Sequence, residues 1–128
     1  MPLPPKRIAV LDDDRSVRTA LRRLLNASGL DAVCFASCTT FLDSLERDAW
    51  DCVVLDLQMP QMTGVEVLEY MTQARMRVPI VIVTAHDELG SSEACLAAGA
   101  AAYLRKPIRA NALIEAIGAA IRSVEEVS

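Results

Sequence analysis

The chain has 128 residues, 52% of them hydrophobic, with 13 Lys and Arg against 17 Asp and Glu for a net charge of −4. That size and hydrophobicity fit one domain with its own core and exclude a chain disordered throughout, because about two-thirds of the unfolded surface can be buried at this length. The mildly acidic balance gives no field to gather nucleic acid, and no apolar run reaches the ~18 residues of a membrane span; the longest, Ala94–Leu104, contains Gly99.

The first residues are proline-rich, and the apolar stretch Ile8–Leu11 stops at Asp12, Asp13 and Asp14, so a secretory signal is not expected and the chain reads as cytosolic. Cys34, Cys38, Cys52 and Cys95 form no Cys-x-x-Cys pair and read as small apolar residues of a reducing compartment.

Ile8–Leu11 is the first predicted strand. After the aspartates, Val17, Leu21, Leu24 and Leu25 recur at helical spacing, with Arg15, Arg18, Arg22 and Arg23 on the other face; Asp14 is a suitable N-cap and Asn26–Gly29 carries the stop. Ala32–Ala36 is a weaker second strand, and Thr39 or Thr40 is expected to cap a short helix through Phe41, Leu42, Leu45 and Glu46. Trp50 precedes the third strand and is given a packing role. That strand, Cys52–Leu57, is apolar on both faces, as a buried parallel strand should be. A loop built around Pro60 and Gly64 leads to a helix striped by Val65, Leu68 and Met71. The fourth strand is Pro79–Val83, and the next helix spans about Ser91–Ala98 with Gly99 as its C′ residue. Ala101–Arg105 is the fifth strand, and the last helix covers about Asn111–Ser123, leaving Ser123–Ser128 as a frayed tail or the start of a linker. Five strands alternating with five helices predict a single α/β domain: a doubly wound five-stranded parallel sheet between two helical layers.

Ligands of such sheets bind at the carboxyl ends of the strands. In the flavodoxin-like order 2-1-3-4-5 those ends bring together Asp12 and Asp13 after strand one, Asp56 after strand three, Thr84 after strand four, and Lys106 after strand five. Carboxylates this close repel unless compensated, and Mg²⁺ with Lys106 would balance three of them. A carboxylate beside Mg²⁺ and an ammonium is placed to attack phosphorus and form an acyl phosphate, with Thr84 as a hydroxyl donor to the bound group.

Four segments carry a resemblance: Val10–Asp13 (VLDD), Val54–Pro60 (VLDLQMP) with Gly64, Val83–Ala85 (VTA), and Gly99–Pro107 (GAAAYLRKP). Over about 7–122, nearly the whole chain, it resembles the CheY-like receiver domain of two-component response regulators. The resemblance implies that Asp56 takes a phosphoryl group from a sensor histidine kinase or phosphotransfer protein. It implies that Asp13 ligates Mg²⁺ directly, Asp12 through water, and Gln58 through its backbone carbonyl. Thr84 and Tyr103 become the switch pair and Lys106 the phosphate-binding lysine. Self-phosphorylation with Mg²⁺ and slow autodephosphorylation are the only chemistry expected, so the chain reads as a signalling module rather than an enzyme. Ile108 stands where Phe is common after Lys-Pro. Gln58 and His86 fall at positions that vary between receivers and bear on the lifetime of the phosphorylated state; His86 is expected in the loop over the site. Receivers of this type often dimerise through the face of the fourth helix, fifth strand and fifth helix, which here carries Ala97, Ala98, Ala100, Ala101 and Ala102; a C-terminal output domain outside this chain is a further expected partner.

Two enzyme readings fail on the residues. A haloacid-dehalogenase-type phosphatase needs an acid two residues past its aspartate, where this chain has Gln58. A dinucleotide site needs Gly-x-Gly-x-x-Gly after strand one, where this chain has acid. An inactive receiver acting as an adaptor survives only if the site binds no Mg²⁺.

Overall fold

The five apolar runs form five strands among the described residues of the computed structural model, which are 4–59, 62–85 and 88–127. These are β1 (Arg7–Leu11), β2 (Asp31–Phe35), β3 (Cys52–Asp56), β4 (Ile80–Thr84) and β5 (Ala102–Arg105). All pairings are parallel and the order is β2-β1-β3-β4-β5, the expected doubly wound flavodoxin-like sheet. Because strand side chains alternate, the sheet buries two cores. Ile8, Val10, Val54, Val81 and Val83 pack with α1 (Arg15–Ala27) and α5 (Ala110–Val127). Leu11, Val53, Leu55 and Ile82 pack with α2 (Cys38–Ser44), α3 (Gly64–Gln73) and α4 (Ser91–Ala97).

Asp14 caps α1 as expected: its Oδ1 accepts the Ser16 N–H at 2.8 Å and the Val17 N–H at 3.3 Å. The bond from the Ser16 hydroxyl, with these two amides, holds the Asp14 carboxyl below its ordinary range. The cap of α2 differs from expectation. Ser37, extended at φ −136°, accepts the Thr40 N–H at 3.3 Å, so Thr39 and Thr40 are already helical. The helix stops at Ser44, whose buried hydroxyl donates to the Phe41 carbonyl at 2.6 Å and accepts the Trp50 indole N–H at 3.2 Å. Trp50 itself is buried edge-on to Phe35, in the packing role the sequence suggested.

The C-terminal end is also corrected. Rather than fraying from Ser123, α5 continues to Val127, and Lys6 Nζ lies 3.0 Å from Glu125 Oε1. All four cysteines are free thiols, and burial pushes each of them up, Cys52 to about 12, so they behave as apolar fillers. No helix among the described residues is long and apolar enough to cross a membrane.

Candidate functional site

Strand register brings the candidate residues to one level. Leu11 pairs with Leu55, so the next residues, Asp12 and Asp56, emerge side by side where the chain changes direction across the sheet. Asp56 pairs with Val83, which places Thr84 one step further along β4. Thr84 pairs with Arg105, and the Lys106 N–H donates to the Thr84 carbonyl at 2.8 Å, carrying the lysine to the same edge. Asp12, Asp56 and Thr84 are buried, whereas Asp13 is exposed.

The electrostatics are unbalanced. One carboxylate oxygen from each of Asp12, Asp13 and Asp56 lies within 4.8 Å of the others. Lys106 Nζ sits 2.8 Å from Asp12 Oδ2 and 3.8 Å from Asp56 Oδ2. Among the described residues, these three carboxylates thus share one ion-paired ammonium. At the effective dielectric of protein sites, a pair of charges 4–5 Å apart repels by roughly 3–4 kcal/mol. Burial, and then the charge on Asp12, push the Asp56 carboxyl up; the Lys106 ammonium and the Gln58 N–H, 3.3 Å from Asp56 Oδ1, only partly offset this. An all-oxygen donor set of excess negative charge is what a hard divalent cation requires, so these residues fit Mg²⁺.

Asp12 and Asp13 are held differently. Asp12 Oδ1 accepts the Asp14 N–H at 2.9 Å and Oδ2 accepts Lys106, so both oxygens are engaged. Among the described residues, nothing hydrogen-bonds or ion-pairs with the Asp13 side chain.

Around this centre, the Gln58 side chain is exposed. Tyr103 is half-buried at the edge of the α2–α4 core, and its hydroxyl donates to Ser91 Oγ at 3.1 Å, joining β5 to the first residue of α4. Ile108 lines an apolar groove of about 330 Å³ with Val17, Leu21, Leu24, Lys106 and Pro107, and none of the three carboxylates lines it. The expected role of His86, and that of Pro60 in its loop, lie outside the described residues.

Gly64 has a role its reading as a loop residue missed. It is the first residue of α3, and its N–H donates to the Leu57 carbonyl at 3.0 Å. A Cβ there would stand 2.6 Å from the Asp56 carbonyl oxygen and 2.8 Å from Leu57 Cα. Only glycine lets the start of α3 press on the backbone that carries Asp56. The Thr63–Glu66 capping box, with the Glu66 N–H on Thr63 Oγ1 at 3.3 Å, fixes that start and is legible as Thr-x-x-Glu.

With this geometry in place, comparison with known proteins decides the family. Residues 8–118 match the model of the response regulator receiver domain. The chain belongs to that family. It is 35% identical over 115 residues to the response regulator protein TodT of Pseudomonas putida, covering 90% of this chain and 51% of TodT. It is also 35% identical over 118 residues to the transcriptional regulatory protein FixJ of Bradyrhizobium diazoefficiens, covering 92% of this chain and 58% of FixJ. The CheY-like receiver domain of Methanospirillum hungatei superposes with a TM-score of 0.89 at 28% identity, covering 97% of this chain and 99% of that one. Full-length FixJ from B. japonicum gives 0.88 at 34% identity, covering 94% of this chain and 59% of that one. The chain spans about half the length of the curated relatives it matches. It is a receiver module of two-component signalling with the CheY-like fold, and Asp12, Asp13 and Asp56 form an acidic group at the carboxyl ends of its strands.

Proposed function

We propose that Asp56 is the phosphoacceptor and that it takes its phosphoryl group from a phosphohistidine on a sensor kinase or phosphotransfer protein. The observation that carries this reading is the Asp56 carboxylate, pushed up by burial and then by Asp12, and flanked by Lys106. A carboxylate short of compensation gains from any cationic or electrophilic partner brought to it. One Asp56 oxygen attacks phosphorus, the P–N bond to the donor imidazole breaks, and the leaving nitrogen takes up a proton. Lys106 neutralises charge gathering on the phosphoryl oxygens, and Thr84, at the end of β4, supplies a hydroxyl to one of them. Asp13, Asp56 and the Gln58 carbonyl would hold Mg²⁺, with Asp12 acting through water. When bound, the ion supplies Lewis-acid charge to the transferring group.

The switch follows from the same residues. New phosphoryl oxygens draw Thr84 toward Asp56, and the space released lets Tyr103 turn further inward, which breaks its tie to Ser91 and alters the α4–β5 face. That face is the surface through which a second copy, a partner or an output domain reads the state. On it, Leu96, Ala97 and Ala101 are exposed, Ala98 and Ala102 half-buried, and Ala100 is buried in the core.

The test is labelling with acetyl phosphate, with and without EDTA, read by intact mass. Wild type is expected to gain one phosphoryl group only with Mg²⁺, and Asp56→Asn none. Equal labelling of both proteins would remove Asp56 from the reaction. No labelling and no Mg²⁺ binding would leave the inactive adaptor.

A further inference from the structure

Among the described residues, Arg18 is the one member of the arginine stripe on α1 bonded to the site. It lies near the start of the helix, its own N–H on the Asp14 carbonyl at 3.0 Å. From there its guanidinium folds back, and Nη1 donates to the Asp12 backbone carbonyl at 2.9 Å. Bringing a cation back over a helix N-terminus works against the helix dipole, so the contact calls for a gain elsewhere. Among the described residues, the main chain at Asp12 is otherwise held by a long bond of 3.3 Å from its N–H to the Phe35 carbonyl, and the Asp14 N–H on Asp12 Oδ1 at 2.9 Å closes the turn on its far side without holding the Asp12 carbonyl. The carbonyl that Arg18 holds belongs to the Asp12–Asp13 peptide. The Asp13 side chain has no hydrogen bond or ion pair of its own among the described residues, yet its oxygen lies within 4.8 Å of those of Asp12 and Asp56. The direction of Asp13 is therefore set by its backbone.

We infer that Arg18 is a positioning residue: by fixing the Asp12–Asp13 peptide through its carbonyl, it aims the Asp13 carboxylate at the acidic centre. The inference rests on the reading of Asp13 as a Mg²⁺ ligand. It also has a sign that simple electrostatics cannot imitate. Removing a positive charge beside three carboxylates should, by Coulomb's law alone, tighten the binding of a cation. Removing the peptide clamp should weaken it, because the ligand must then be ordered as the ion binds.

The experiment is calorimetric titration of Mg²⁺ into wild type, Arg18→Ala and Arg18→Lys, with thermal melting in EDTA alongside. Arg18→Ala should bind Mg²⁺ about 10-fold more weakly, the size seen when an outer-shell partner is lost. Its melting temperature without metal should stay close to wild type, and Arg18→Lys, which keeps a donor, should recover most of the affinity. Equal or tighter binding by Arg18→Ala overturns the inference while leaving the site intact. A wild type that binds no Mg²⁺ overturns both the inference and the metal-site reading beneath it. Should Arg18→Ala fold poorly, Arg18→Met keeps the volume of the side chain without its donors, and its affinity decides in the same way.

Discussion

β1 begins with Arg7 and is followed by Asp12, and the two ends of this strand treat charge in opposite ways. At the amino end, Arg7 lies 3.2 Å from Asp48 Oδ1 and 3.6 Å from Asp31 Oδ2, with its guanidinium 4.5 Å over the Trp50 ring. All three charged side chains there are about one-third to one-half exposed, so water does most of the compensating. At the carboxyl end, the side chains of Asp12 and Asp56 are 2% and 7% exposed, and Lys106 is their shared cation. Charge that water solvates is inexpensive to keep and says little about function. Charge that is buried and under-compensated costs stability in the resting protein and reads as a site prepared for something that arrives.

The glycines at the two ends test this contrast most strongly. Gly64→Ala drives a Cβ into the backbone of Asp56 and Leu57, where no rotamer change can relieve it. The expected loss is about 1–3 kcal/mol, with slower labelling of Asp56 because its backbone must shift. Gly29, after α1, has φ +85° and nothing within 4 Å of an added Cβ. Gly29→Ala should cost about 1–2 kcal/mol through the left-handed backbone alone. Melting and labelling of both variants check this. If Gly64→Ala labels at the wild-type rate, the pressure of α3 on Asp56 has no bearing on the chemistry.

The fold was legible because its signals agree. Apolar runs ending in acid, Thr and Lys-Pro are visible as strand ends, and a parallel order then puts those ends together. What was not legible depends on distances between segments far apart in sequence. Gly64 looks like any loop glycine until its approach to the Asp56 carbonyl is measured, and Arg18 looks like one arginine of a solvated stripe until its guanidinium is seen on Asp12. The α2 cap is ambiguous in sequence because Ser37, Thr39 and Thr40 are all competent caps, and only the turn after Phe35 selects the first. The polar end of α5 reads as a frayed tail in sequence because the partner of its ion pair, Lys6, lies 119 residues away.

A second, smaller effect is the cost of the buried carboxylate itself. Burial and Asp12 hold the Asp56 carboxyl above its ordinary value of 3.8 in the folded protein. Between that value and the raised one, the folded state binds more protons than the unfolded state, so this residue's contribution to stability falls as pH rises. Above the raised value the cost is complete. In EDTA at neutral pH, Asp56→Asn should therefore melt a few degrees higher than wild type. The gap should close as pH falls through the raised value, because the wild-type side chain then becomes neutral too. Parallel melting curves from pH 4 to pH 7 would mean that the carboxylates are compensated after all, and the contrast between the two ends of β1 would lose its electrostatic basis.

The smallest effect belongs to the other end. Arg7→Ala removes two partly exposed ion pairs and the stacking on Trp50, but it keeps the Arg7 backbone bonds: the N–H to Asp51 Oδ2 and the carbonyl to the Asp51 N–H, each at 2.8 Å. Exposed pairs and a surface cation–π contact together support a loss of about 1 kcal/mol. Because those charges are solvated, the part due to ion pairs should shrink at ~1 M salt, where the screening length is about 3 Å, while the stacking part persists. Labelling of Asp56 should not change, since the strand's hydrogen bonds and the far end of β1 are untouched. Melting in low and high salt, with labelling measured on the same samples, separates these terms. A labelling rate that falls with the loss of Arg7 would mean that the amino end of the strand communicates with the acidic centre, and that the two ends are one electrostatic system rather than two.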